Sequence, residues 1–247
     1  FFGNRVAHYA VLEPHTALVV TATSVVDVRG RQMLLPSAGG HLWETVRADL
    51  RTSTDPEVLD ARQFTLPSPA AGPSPRAADY VAESFSPGRP LLEALADLTA
   101  RIGADFEYQP GSTDVDTTVD ELLTRGAGVC QDFAHLTITG LRALGLSARY
   151  VSGYLETEPP QGMERLQGAD VSHAWVGVFV PGPGWIDLDP TNDQFVDDRY
   201  VTVAWGRDYS DVPPLKGVIF TESESHELAV SVDVTPIPEG DPALGVV

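Results

Sequence analysis

Cysteine is almost absent from this 247-residue chain, with Cys130 as its single instance. One thiol excludes an intrachain disulfide and any metal cluster assembled from several cysteines. Long apolar runs are missing as well. None reaches the roughly 18 residues that a membrane-spanning helix requires, and no charged-then-apolar leader opens the chain. It begins Phe1-Phe2-Gly3 without methionine, which is compatible with a stretch removed from the N-terminus. Basic residues are scarce: 16 Lys and Arg stand against 35 Asp and Glu, a net charge of −19. Such a surface repels phosphate backbones, so nucleic acid is not an expected partner. It suits solubility first and basic substrates second. Cytoplasmic residence without a membrane partner is the expectation. The chain also lacks a Walker loop, a dinucleotide-binding glycine fingerprint, a Gly-x-Ser-x-Gly elbow, internal repeats and low-complexity tracts. The acidic run Asp187, Asp189, Asp193, Asp197 and Asp198 has neither the spacing nor the glycine of a calcium loop. No cofactor and no metal are expected.

What is present is ordinary globular material. Hydrophobic residues make up 43% and charged residues 21%, enough for one large domain or two small ones with a proper core. Arg5 to Arg29 is strand-like. It has an alternating start at Val6, His8 and Ala10, a turn at Glu13 to Thr16 and a β-branched run from Ala17 to Val28. Leu42 to Leu50 predicts a short helix, and four prolines between Pro67 and Pro75 predict an extended connector. Helical spacing returns over Ala77–Phe85, Pro90–Ile102, Thr118–Leu123 with Thr117 as cap, and Val129–Leu144 with Gly145 as its stop. Strands follow at Ala148–Leu155, Ala174–Val180, Gly184–Leu188, Tyr200–Ala204 and His226–Val234, with a hairpin turn at Pro181 to Gly184 and an exposed loop at Gly162 to Gly168. Helices first and an antiparallel run second indicate an α+β domain.

Cys130 sits in Gly128-Val129-Cys130-Gln131-Asp132-Phe133-Ala134-His135, where a loop gives way to the central helix. A thiol in a first helical turn meets unpaired backbone N–H groups and the positive end of the helix dipole, surroundings that favour the nucleophilic thiolate form. Free cysteine also serves as a small buried hydrophobe, so position alone does not decide between the two. Partners weigh more. His173 begins an apolar strand, and Asp189 follows it by 16 residues across the Pro-Gly turn. A hairpin there carries both towards the same end of two paired strands, where an aspartate can orient an imidazole. Asp187 is on the same sheet face as Asp189 and competes for the role. His135 lies off the cysteine's face of the helix and suits packing. His8, His15, His41 and His226 have no chemical companions.

At these residues the chain resembles the bacterial transglutaminase-like family, cysteine enzymes related in fold to papain. The resemblance covers Gly128 to His135, Leu141 to Leu155, Ser172-His173-Ala174-Trp175, Gly184 to Asn192 and Gly206 to Pro214. It implies a papain-like core of helices packed on an antiparallel sheet, preceded by a small β-rich N-terminal module. Phe2 to Arg5 resembles the later part of that module, whose first strands this sequence then lacks. The implied division is residues 1–66 for the module with a short helix, 67–76 for the connector and 77–247 for the catalytic domain. Carried over by motif, the nucleophile falls on Cys130, the general base on His173 and the triad acid on Asp189, because the family places the acid directly before Pro-Thr. The Gln131 side chain receives no oxyanion role. The resemblance implies cysteine-dependent acyl transfer on amide bonds of a peptide or protein substrate through a thioester. Peptidase or amidase hydrolysis ranks ahead of protein–glutamine crosslinking. A non-catalytic binding module with a degenerate cleft is the rival, and three intact triad positions argue against it.

Overall fold

A computed structural model of the chain describes residues 1–28, 38, 40–157, 171–221 and 227–237. Among the described residues, α1 (Trp43–Thr52), α2 (Pro56–Arg62), α3 (Pro75–Ala82) and α4 (Leu91–Asp105) come first. Their starts follow local chemistry. Asp55 accepts the Glu57 N–H at 2.9 Å and Ser74 accepts the Ala77 N–H at 3.1 Å, each with proline next in line to fix the first helical φ. Strand β1 (Glu107–Tyr108), helix α5 (Val119–Arg125) and strand β2 (Ala127–Gly128) follow, with β1 and β2 paired in parallel. Thr118, one residue beyond the expected Thr117, caps α5. The reason is the Thr118-to-Glu121 spacing, which closes a capping box with the Glu121 carboxylate accepting the Thr118 N–H at 2.8 Å.

Helix α6 (Cys130–Ala143) is the centre of the molecule, buried on all sides from Asp132 to Arg142. A helix enclosed in this way must accept close neighbours. At Gly140 a Cβ would run into the Val81 side chain and the Ala77 carbonyl, so glycine is what lets α3 cross α6 there. Five strands complete the fold: β3 (Ala148–Leu155), β4 (Val171–Val180), β5 (Gly184–Asp189), β6 (Gln194–Phe195) and β7 (Tyr200–Gly206). They form one antiparallel sheet in the order β6-β5-β4-β3-β7, and α6 lies across β3 and β4. Arg142 locks helix to sheet. Its guanidinium donates to the carbonyls of Phe64, Ala148 and Arg207 and to the Ser68 hydroxyl, at 2.6–3.2 Å. Removing it would leave buried acceptors unsatisfied, at about 1–3 kcal/mol for each.

The strands expected between Arg5 and Arg29 are not formed. Residues 5–28 are described without helix or ladder pairing, and Val6, Leu12, Val19 and Val26 are exposed. β-Branched composition favours a strand only where a neighbouring strand and a buried face exist to reward it. Asn4 does reach the sheet, exchanging two hydrogen bonds with the backbone of Trp205 at 2.7 and 3.1 Å. Residues 43–52 and 56–65, grouped by sequence with the N-terminal module, are helical. Trp43, Val46, Leu50, Val58 and Ala61 join the same buried cluster as Leu136, Ile138 and Val176. The loop expected at Gly162 to Gly168 and His226 of the last expected strand lie outside the described residues. Over 227–234 only an isolated bridge at Val232 is formed.

Candidate active site

Register places the site. In the β4–β5 hairpin Val176 pairs with Leu188 and Gly177 with Asp187, so the ladder brings Asp189 to the level of Trp175. His173 is two residues further along β4 on the same face. Asp189 is therefore its diagonal neighbour, while Asp187 is about 7 Å further back along the strand, at about 3.3 Å per residue. The side chains agree with the ladder. His173 Nε2 lies 2.7 Å from Asp189 Oδ2. Asp187 instead approaches Arg149 at 3.9 Å and accepts from the Trp175 indole at 3.4 Å.

Cys130, half-buried at the first position of α6, is within hydrogen-bonding reach of His173. With Nε2 turned to Asp189, Nδ1 is the ring nitrogen left for the sulfur. The three residues singled out from sequence are thus brought together, with His173 interacting with both Cys130 and Asp189. The strand opposite makes room for this group. Gly153 of β3 pairs directly with His173, and a Cβ there would strike the Trp175 ring and the Val201 carbonyl. Trp175, in turn, sits edge-on to Tyr200 with centroids 5.3 Å apart beneath the histidine.

Asp189 is fully buried and satisfied on both oxygens. Oδ1 accepts the N–H groups of Thr191 at 2.8 Å and Asn192 at 3.3 Å. Oδ2 accepts from the Asn192 amide at 2.6 Å and the Tyr200 hydroxyl at 2.7 Å, besides the histidine. Burial alone would raise its pKa, but His173, Tyr200 and Asn192 reverse that and hold the carboxyl below its ordinary value of 3.8. Burial likewise opposes charge on His173. Its hydrogen bonds to Asp189 and Cys130, and the charges of both, override burial and raise its pKa from 6.5 to about 10. The imidazole is therefore charged at neutral pH.

A pH dependence follows from these two shifts. A raised folded-state pKa contributes stability that is complete below the unfolded value of 6.5 and is lost as pH rises through about 10. The lowered Asp189 contributes above its ordinary value of 3.8 and loses that contribution as pH falls through its depressed folded value. The urea midpoint of the wild type should exceed that of His173→Gln most around pH 5–6.5, with the gap shrinking steadily to pH 10. A gap that stays flat over that interval contradicts the charged pair.

At the start of α6, Asp132 accepts the Val129 N–H at 2.8 Å and the Thr113 hydroxyl at 2.6 Å, pinning the corner that presents Cys130. Burial pushes this carboxyl above its ordinary value against those two hydrogen bonds. His135 is buried against Tyr150, where burial lowers its pKa to about 4 and its Nε2 accepts the Tyr209 N–H at 3.2 Å. Its role is packing. Among the described residues no three His, Cys, Asp or Glu side chains converge in an arrangement that could hold a metal ion.

With this geometry in place, comparison with known proteins is specific. The family model described as the transglutaminase-like superfamily matches residues 78–190, a span containing all three residues. An uncharacterized Mycobacterium tuberculosis protein is 49% identical over 247 residues, covering 97% of this chain and 76% of that protein. The chain belongs to the transglutaminase-like superfamily. Within that superfamily it is 32% identical over 144 residues to a Pseudomonas aeruginosa protein-glutamine gamma-glutamyltransferase, covering 57% of this chain and 21% of that protein. It also resembles the solved structure of a candidate cysteine protease from Cytophaga hutchinsonii, at 30% identity and a TM-score of 0.53. That match covers 68% of this chain, which spans about half (54%) of the solved chain. Transglutaminase-like architecture therefore carries the helices and antiparallel sheet expected from sequence. Two donors to Asp189 were not anticipated. Asn192 was within reach of a motif reading, being three residues beyond the acid in a turn. Tyr200 has no local signal, because only the folded sheet brings its hydroxyl to the carboxylate.

Proposed function

We propose that the chain is a cysteine-dependent acyl-transfer enzyme acting on amide bonds of peptides or proteins, with hydrolysis as its principal outcome. The observation that carries this reading is the set of contacts from Cys130 through His173 to the buried, fully hydrogen-bonded Asp189. The Cys130 sulfur attacks the amide carbonyl carbon. The negative charge that develops on the oxygen faces the N–H groups of Cys130 and Gln131, for which no acceptor is present among the described residues. Collapse breaks the C–N bond, and His173 passes its proton to the leaving amine. The thioester is then attacked by water, which gives its proton to His173, and the acid departs as the sulfur is released.

Interception of the same thioester by an amine is the second reading, favoured by the glutamyltransferase name of the Pseudomonas relative. Lys216 is the chain's only lysine, so amine incorporation into a substrate can be read against little self-crosslinking. Casein incubated with the protein, with and without a labelled primary amine, separates the two outcomes. Prior treatment with iodoacetamide should stop both, while a chelator should stop neither. Turnover that survives alkylation but not chelation contradicts the proposal.

A further inference from the structure

We infer that Tyr108 supplies a side-chain hydrogen-bond donor to the carbonyl oxygen of the acyl donor, joining the N–H groups of helix α6 at the site where negative charge develops. The role rests on the acyl-transfer reading of Cys130. Strand β1 is short, but it is fixed on both sides of the tyrosine. Glu107 N–H donates to the Gly126 carbonyl and Gln109 N–H to the Gly128 carbonyl, each at 2.9 Å. Tyr108 is thereby held in register with Gly128, two residues before Cys130. Gly128 is itself flush with its surroundings. A Cβ there would come within 2.7 Å of Leu122 Cδ1 and 2.9 Å of Asp132 Oδ2, so β2 packs closely against the start of α6. The tyrosine is built onto the same rigid corner as the nucleophile.

Three observations point its hydroxyl to a ligand. Its side chain is outside the core, with Tyr108 53% exposed. No hydrogen bond to the hydroxyl is present among the described residues, unlike those of Tyr80 and Tyr200. Its place on β1 opposite Gly128 also brings it near enough to Cys130 and Asp189 for both charges to act on it. Burial, and then those two charges, raise its pKa above the ordinary value of 10.0, which keeps the phenol protonated and able to donate. The competing side-chain donors are engaged. Gln131 Nε2 donates to the Val115 carbonyl at 3.3 Å, and the Asn192 amide is held by Asp189 at 2.6 Å. Tyr108 is an exposed donor on this corner whose hydroxyl has no partner among the described residues.

Two reactions of Cys130 separate this role from a general effect on the thiol. Acylation by p-nitrophenyl acetate forms the S–C bond through a tetrahedral oxyanion and expels p-nitrophenolate, while the tyrosine keeps its proton. Alkylation by iodoacetamide displaces iodide and forms no oxyanion. Tyr108→Phe, which removes one exposed hydroxyl, should slow acylation about a hundredfold, the scale expected for loss of one oxyanion donor. Its alkylation rate should match that of the wild type. Unchanged acylation overturns the role of Tyr108, as does an equal fall in both rates, which would assign the hydroxyl to the sulfur. A wild type whose Cys130 acylates no faster than in the urea-unfolded chain overturns the acyl-transfer reading itself, and this role with it.

Discussion

Cys130→Ala should reduce amide turnover by five to six orders of magnitude, on the order of what removal of the nucleophile costs enzymes whose triad acts as a unit. The expectation is this large because the residue has no substitute. Cys130 is the chain's single thiol, and it occupies the position at which the first turn of α6 and His173 converge. An alanine offers no electron pair to the carbonyl, so the remaining N–H donors can bind and polarise a substrate but cannot form a thioester. Stability should change little, since the sulfur is half-buried and the helix is fixed by its own interior residues. Initial rates on casein, normalised to folded protein by circular dichroism, test this. Residual turnover within tenfold of wild type would remove Cys130 from the chemistry.

Asp189→Asn should cost about four orders of magnitude in turnover, while Asp187→Asn should leave turnover near the wild-type level. The two carboxylates share a strand and a face, so the contrast isolates geometry from composition. At position 189 an amide has the right shape but no charge. It would meet three donors that the carboxylate oxygen now accepts: His173, Asn192 and Tyr200, at 2.6–2.7 Å. The imidazole would lose its hold on one tautomer and would discharge at lower pH. At position 187 the loss falls on contacts to Arg149 and the Trp175 indole, and the hydrogen bonds around Asp189 are untouched. Equal turnover losses in both variants would contradict the assignment.

Much of this arrangement was legible in the sequence because its determinants are local. The polar-to-apolar switch at Gly128 to Leu136 marks the start of α6, and alternation with a Pro-Gly turn marks β4 and β5. Residue types alone left Asp187 and Asp189 equal. The resemblance chose Asp189, and the ladder gives the physical reason, because it sets that residue level with Trp175. Other features escaped for stated reasons. Helix α2 carries Asp55-Pro56, a cap followed by proline, yet it is one of the shorter helices at seven residues and has little periodicity to read. Strands β1 and β2 have two residues each, below any patterning signal. The run from Ala17 to Val28 has strand composition without a partner strand among the described residues. Tyr108 and Tyr200 reach the site only through tertiary placement, and no spacing in the chain announces either.

The central claim is that an acyl group passes through the sulfur of Cys130. Rapid acid quenching of the wild-type protein during turnover of a glutamine-containing peptide, followed by proteolysis and mass spectrometry, tests it most directly. The account predicts an acyl adduct on the peptide containing Cys130, which grows when His173→Ala slows its breakdown more than its formation and is absent from Cys130→Ala. Turnover that proceeds with Cys130 unmodified at every quench time, or an adduct carried by another residue, would contradict it.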